Sequence, residues 1–142
     1  MSKKHIIIAI SIIIVIGLGG YLATKMYNKP HINIAEASPD LILNSDEILT
    51  DFQSDETSAN KKYLNQIIQV KGKVGHIGAA NGNGVIVFNN NNISAQGSVI
   101  CHILEGENNK IMQLKEGQDI IIKGVCTGYL MDVILIRCVI IN

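Results

Sequence analysis

Tryptophan is absent from the 142-residue chain, and its aromatic residues are two phenylalanines and four tyrosines. Single-stranded nucleic acid is gripped by stacking on aromatic side chains along a basic groove. Beyond residue 44 only Phe52, Tyr63, Phe88 and Tyr129 qualify, and the pattern turns Phe52 and Tyr63 inward. Charge is sparse as well, at 17% of residues with a formal net of zero. That balance is uneven along the chain: residues 30–142 hold eight bases against all twelve acids, hence −4. An acidic domain forgoes the phosphate neutralisation from which nucleic-acid affinity mostly comes, so nucleic acid is an unfavoured partner.

Proline occurs twice, at Pro30 and Pro39, which leaves everything after residue 39 free of that breaker. Cysteine is scarce and odd in number: Cys101, Cys126 and Cys138. Their spacings match no zinc pattern, and Cys101 with His102 point to opposite faces of a strand, so neither a metal nor another cofactor is expected. Cys126 and Cys138 fall on the core face of adjacent strands. Three buried free thiols are the first reading, with a Cys126–Cys138 disulfide as the alternative in an exported domain. Catalysis lacks its parts too. His76 and His102 are the histidines of the folded region, and no Ser, Cys or Asp has a nucleophile's sequence context, so no catalytic residue is assigned and an enzyme is not expected.

Long apolar runs, by contrast, are present. Ile6 to Ala23 is uncharged for 18 residues, behind Lys3 and Lys4. As a helix it spans about 27 Å, close to the hydrocarbon thickness of a bilayer. Residues 1–25 therefore read as a single-pass signal anchor, the membrane being contacted through residues 6–23. A cleaved signal peptide is the alternative, since Tyr21 before Ala23 and Leu18 before Gly20 each half satisfy a cleavage site. No cysteine follows the run, which argues against a lipid anchor. Lys25 and Lys29 nearly balance the amino-terminal positive charge, and the acid excess downstream favours an extracytoplasmic, periplasmic domain.

Residues 26–43 carry both prolines and no periodicity, and read as a linker that orders where Leu41-Ile42-Leu43 docks. Asn44 followed by Glu47 resembles a capping box, predicting a helix from Ser45 to about Asp55, extendable to Tyr63, with Ile48, Leu49, Phe52 and Ala59 inward and Asp51, Asp55 and Glu56 wet. Five strands follow. Ile67–Ile77 alternates with Ile68, Val70, Gly72 and Val74 inward; Val85–Phe88 follows the turn signal Asn81-Gly82-Asn83-Gly84; Ser98–Leu104 points Val99, Cys101 and Ile103 inward. The last two form a hairpin, with Ile120, Ile122, Gly124 and Cys126 facing the core opposite Lys123, and then Ile134, Ile136, Cys138 and Ile140 opposite Arg137. Short strands with mid-strand Gly72 and Gly124 suit a mainly β fold over residues 44–142: a five-stranded OB-type Greek-key barrel behind a preceding α-helix, with an SH3-like barrel second.

The stretches Ala59-Asn60-Lys61-Lys62-Tyr63, Ile68-Gln69-Val70-Lys71-Gly72-Lys73-Val74, Leu114-Lys115-Glu116-Gly117-Gln118 and Lys123-Gly124-Val125-Cys126-Thr127-Gly128, with Asp132-Val133-Ile134-Leu135 and Cys138, resemble the tRNA-anticodon-domain-like (tRNA_anti-like) OB-fold family of small bacterial proteins, often carried behind a signal or anchor. That resemblance implies the OB fold over about residues 44–141 and brings no catalytic or binding motif with it. The function expected is a membrane-tethered binding module of the bacterial envelope, taking a protein, peptide or glycan, with single-stranded nucleic acid as the alternative. Contacts are expected from the loops His76–Gly84 and Gly128–Met131, from the outer face of the second and third strands, and from Lys71, Lys73 and Tyr129.

Overall fold

The computed structural model describes residues 3–27, 32–90 and 96–141, and it divides into two compact units, residues 1–32 and 33–142. The first unit is helix α1, Lys3–Tyr27. Its segment Lys3–Thr24 is long and apolar enough to cross a membrane, a test that an anchor and a signal sequence meet alike.

The second unit runs β1 (Leu41–Asn44), α2 (Ser45–Ser54), α3 (Glu56–Tyr63), β2 (Ile67–Ala80), β3 (Asn83–Phe88), β4 (Val99–Ile103), a 3₁₀ turn (Glu105–Glu107), α4 (Asn108–Ile111), β5 (Asp119–Leu130) and β6 (Asp132–Ile140). The long strand β2 pairs antiparallel with β5 through its first half and with β3 through its second. The order β2-β3-β4-β6-β5, closed by β2 on β5, is a five-stranded barrel. The parallel pairing of β4 with β6 gives it Greek-key OB connectivity. Inside lie Ile68, Val70, Ile86, Phe88, Cys101, Ile122, Leu135 and Cys138, capped by Ile48, Leu49, Phe52 and Tyr63 of α2 and α3.

Three expectations about this unit need correction. The predicted linker is largely part of the fold: Asp40 brackets Ile67 through its backbone N–H and its carboxylate, β1 adds a sixth, parallel strand to β2, and Ile34 buries against Ile67, Val125 and Val139. A four-residue strand is too short to announce itself by alternation. The helix expected from Ser45 to about Asp55 is α2, and its extension to Tyr63 is a separate helix, because Asp55 turns extended and its carboxylate caps α3, accepting from the Ser58 N–H at 3.1 Å. Asp51 is also not merely wet, accepting from the Tyr63 hydroxyl at 2.5 Å and from Lys62 at 2.9 Å.

The third correction concerns the phase of β6. Val133 and Leu135 are buried rather than Ile134 and Ile136, and inward alternation resumes only at Cys138 and Ile140. Arg137 sits at φ 52°, in the left-handed region, and the pairing with β5 slips by one residue between Lys123 and Val125. A bulge of this kind flips every side chain beyond it to the other face. Opposite it lies Gly124, where a Cβ would stand 2.5 Å from the Cys138 sulfur. Gly72 is equally closed, with Phe88 Cδ1 2.6 Å from the place a Cβ would take. Both glycines therefore sit where neighbouring atoms come too close for a Cβ.

Candidate functional site

Outward-facing residues follow from register. Val87 pairs with Ile100, Ile100 with Ile134, and Ile134 with Gly128, so one aliphatic row crosses β3, β4, β6 and β5. Its members Val87, Ile100 and Ile134 are half-buried, while the intervening Ile86, Cys101 and Leu135 point into the core. His76 ends the row beside Val87, and His102 lies in the next row beside Val85, outward as expected. His76 meets Glu116 at 3.1 Å, both well exposed. A histidine satisfied in this way has a structural account.

The two hairpin turns that flank this face are built differently. Between β2 and β3 stand Asn81 at φ 53° and Gly82 at φ 82°, the residues that tolerate left-handed backbone best. Between β5 and β6 the left-handed position is filled by Met131 at φ 68°. A long side chain there costs about 1–2 kcal/mol that a glycine would avoid. Nor does the methionine recover this by burial: Met131 is 77% exposed and its neighbour Leu130 87%. The turn is nevertheless held firmly, since Asp132 accepts the Ser98 N–H at 2.7 Å and the Val133 N–H donates to the Ser98 carbonyl at 2.9 Å. Beside it a groove of about 400 Å³ is lined by Glu56, Asn60, Leu64, Thr127, Gly128, Tyr129, Leu130 and Ile134.

The predicted contact residues do not converge. Tyr129 lies in this groove, half-buried and stacked on Phe52 at 5.6 Å, so its ring also pins α2 to the barrel. Lys71 and Lys73 lie on the first half of β2, in a separate groove of about 390 Å³ that they share with Asp46, Glu47 and Asp119. Lys73 stands opposite Asp119 in the β2–β5 register. Those lysines face acids of their own chain, which weakens them as anion contacts. Of the groove's lining, the loop Gly128–Met131 was singled out from the sequence, whereas Leu64 and Ile134 were not, because they reach the groove only through the α3–β5 packing and the shifted phase of β6. Among the described residues of the second unit no Phe or Tyr side chain is exposed, Phe52, Tyr63 and Phe88 being buried and Tyr129 half-buried.

The cysteines are free and buried. Cys126 stands opposite Leu135, three residues from Cys138 along β6, so the candidate Cys126–Cys138 bridge is not formed; the Cys138 thiol lies instead within hydrogen-bonding reach of Cys101. Burial pushes the Cys126 and Cys138 thiols up, making them poor nucleophiles at neutral pH. No group of three or more His, Cys, Asp or Glu placed to hold a metal occurs among the described residues.

No curated protein matches the sequence. Among solved structures, a Klebsiella pneumoniae lipoprotein described as a candidate nucleic acid binder is similar over 70% of this chain and 91% of its own, with a TM-score of 0.58 at 14% identity. The Stn1–Ten1 complex of S. pombe matches 54% of this chain and 58% of its own at 15% identity, TM-score 0.40. An OBody bound to hen egg-white lysozyme matches 56% and 83% at 18% identity, TM-score 0.41. At such identities the first likeness speaks for the fold, and the other two carry no argument. The tRNA_anti-like family model matches residues 1–140, a span that takes in both the apolar helix and the barrel, and the chain belongs to that family.

Proposed function

We propose that this chain is a membrane-tethered OB-fold binding module of the bacterial envelope, with α1 as anchor, the barrel outside the cytoplasm, and a protein or peptide as ligand. One observation carries the reading. The β5–β6 turn holds Leu130 and Met131 almost fully in water, one of them on strained backbone, while the β2–β3 turn of the same barrel uses the unstrained Asn-Gly pair. Strain kept at a rigid, exposed, apolar tip is the mark of a contact surface rather than of a stabilising turn. The groove beside it and the row Val87-Ile100-Ile134 extend that surface with aliphatic side chains, which suit an apolar peptide segment. A glycan is less well served by a face without exposed aromatic rings, and Lys71 and Lys73 are left as secondary contacts. We propose binding rather than catalysis for this face.

A second reading is single-stranded nucleic acid. It is favoured by the fold shared with the Klebsiella lipoprotein, and disfavoured by the net charge of −4 over residues 30–142 and the lack of exposed Phe or Tyr rings.

The test pairs Met131→Gly with a probe for nucleic acid. Met131→Gly relieves the left-handed strain, so the melting temperature of the full-length protein should rise by a few degrees while its crosslinking to envelope protein falls. A fluorescent oligonucleotide titrated with micromolar full-length protein in detergent at low salt should show no shift. A salt-sensitive shift, with crosslinking unaffected by Met131→Gly, overturns the reading.

A further inference from the structure

Three irregularities in the last hairpin act on one atom. Arg137 takes a left-handed backbone, the β5–β6 pairing slips by one residue there, and Gly124 leaves open the space a Cβ would take from the Cys138 sulfur. Without the bulge, the alternation set by Val133 and Leu135 would turn Cys138 outward. With it, Cys138 enters the core between β5 and β4, fully buried, and faces the fully buried Cys101. The two strands are parallel neighbours, Ile103 pairing with Cys138 and Cys101 with Leu135, so the two cysteines lie diagonally across one strand spacing. Cys126 faces the same core from β5 and stands opposite Leu135.

We propose that Cys101 and Cys138 are the oxidisable pair of this chain, closing into a disulfide between β4 and β6 under oxidising conditions, with Cys126 remaining a thiol. The oxidant is a small or protein disulfide. With oxidised glutathione, one cysteine thiolate attacks the glutathione sulfur–sulfur bond and expels a glutathione thiolate. The second cysteine thiolate then attacks the mixed disulfide and expels the other. Two protein thiols are oxidised and one glutathione disulfide is reduced to two glutathione thiols, which take up the protons the cysteines lose. Since both sulfurs are shielded in the closed barrel, exchange proceeds when β4 and β6 open.

Trypsin places the three cysteines in separate peptides, 74–110, 124–137 and 138–142, because cleavage follows Lys73, Lys110, Lys123 and Arg137. The full-length protein in detergent is equilibrated with oxidised glutathione in sub-denaturing urea, trapped with N-ethylmaleimide, digested and mapped without reduction. Peptide 74–110 joined to 138–142 should exceed any pairing that includes 124–137 by at least tenfold, and the Cys126→Ser variant should retain it in full. Three alkylated cysteines, or a dominant bridge to Cys126, overturns the proposal.

Discussion

Gly124 shows how one missing Cβ shapes the barrel. A side chain there meets the Cys138 sulfur at 2.5 Å and the Ile136 carbonyl at 3.1 Å, in a buried strand with nowhere to move. Gly124→Val should therefore destabilise the protein by about 2–4 kcal/mol, read as a lowered urea midpoint at constant slope. An unchanged midpoint shows that the hairpin yields at the bulge. Asp51 makes a second residue-scale case. The Tyr63 hydroxyl first, and then Lys62, hold its carboxyl below the usual carboxylate range. A folded-state value below the unfolded one adds stability at pH above that range, and the contribution is lost as pH falls through it. Asp51→Asn should thus lower stability at pH 7 and flatten its decline between about pH 5 and pH 3. A decline as steep as that of the unmodified protein contradicts the assignment. Asp51 is partly exposed, so the effect is screened by solvent.

Among the elements, the segment 33–44 is where tertiary structure overrode local signal. Its sequence carries a proline and no period, yet the Lys123 ammonium, on β5 and buried, donates to the carbonyls of Ala35 at 3.0 Å and Ala37 at 2.7 Å. Those partners lie more than 80 residues away in sequence, beyond the reach of any local pattern. Lys123→Met keeps the buried stem and removes the donors, so amide exchange in residues 34–44 should quicken about tenfold or more while that of β4 stays unchanged. Equal acceleration everywhere contradicts a local clamp. The strands themselves were legible, since β-branched residues concentrate in β2, β4 and β5 between turn residues. The phase of β6 was not, because Ile134 to Ile140 is apolar at nearly every position and the left-handed Arg137 leaves no sequence mark. The break between α2 and α3 was within reach: Asp55 with Ser58 is a capping pair inside an otherwise continuous helical pattern. At the site, the turn at Gly128–Met131 could be named from sequence, but its meaning came from φ angles and exposure, which contrast it with Asn81-Gly82.

For the whole molecule, a family barrel follows an apolar helix in one chain, and its most exposed apolar turn is held rigid by hydrogen bonds from the start of β4. In the function proposed above these serve as anchor, scaffold and contact surface. On that proposal the surface around Leu130 meets an envelope protein. The measurement that tests it most directly is in-cell photocrosslinking of the full-length chain with a photoreactive residue at position 130, with the captured species identified by mass spectrometry. Position 112, where Met112 is 79% exposed away from the groove, serves as control. A discrete envelope protein should be captured from position 130, not from position 112, and lost in the Met131→Gly background. RNA or ribosomal protein captured instead, or equal capture from both positions, contradicts the proposal.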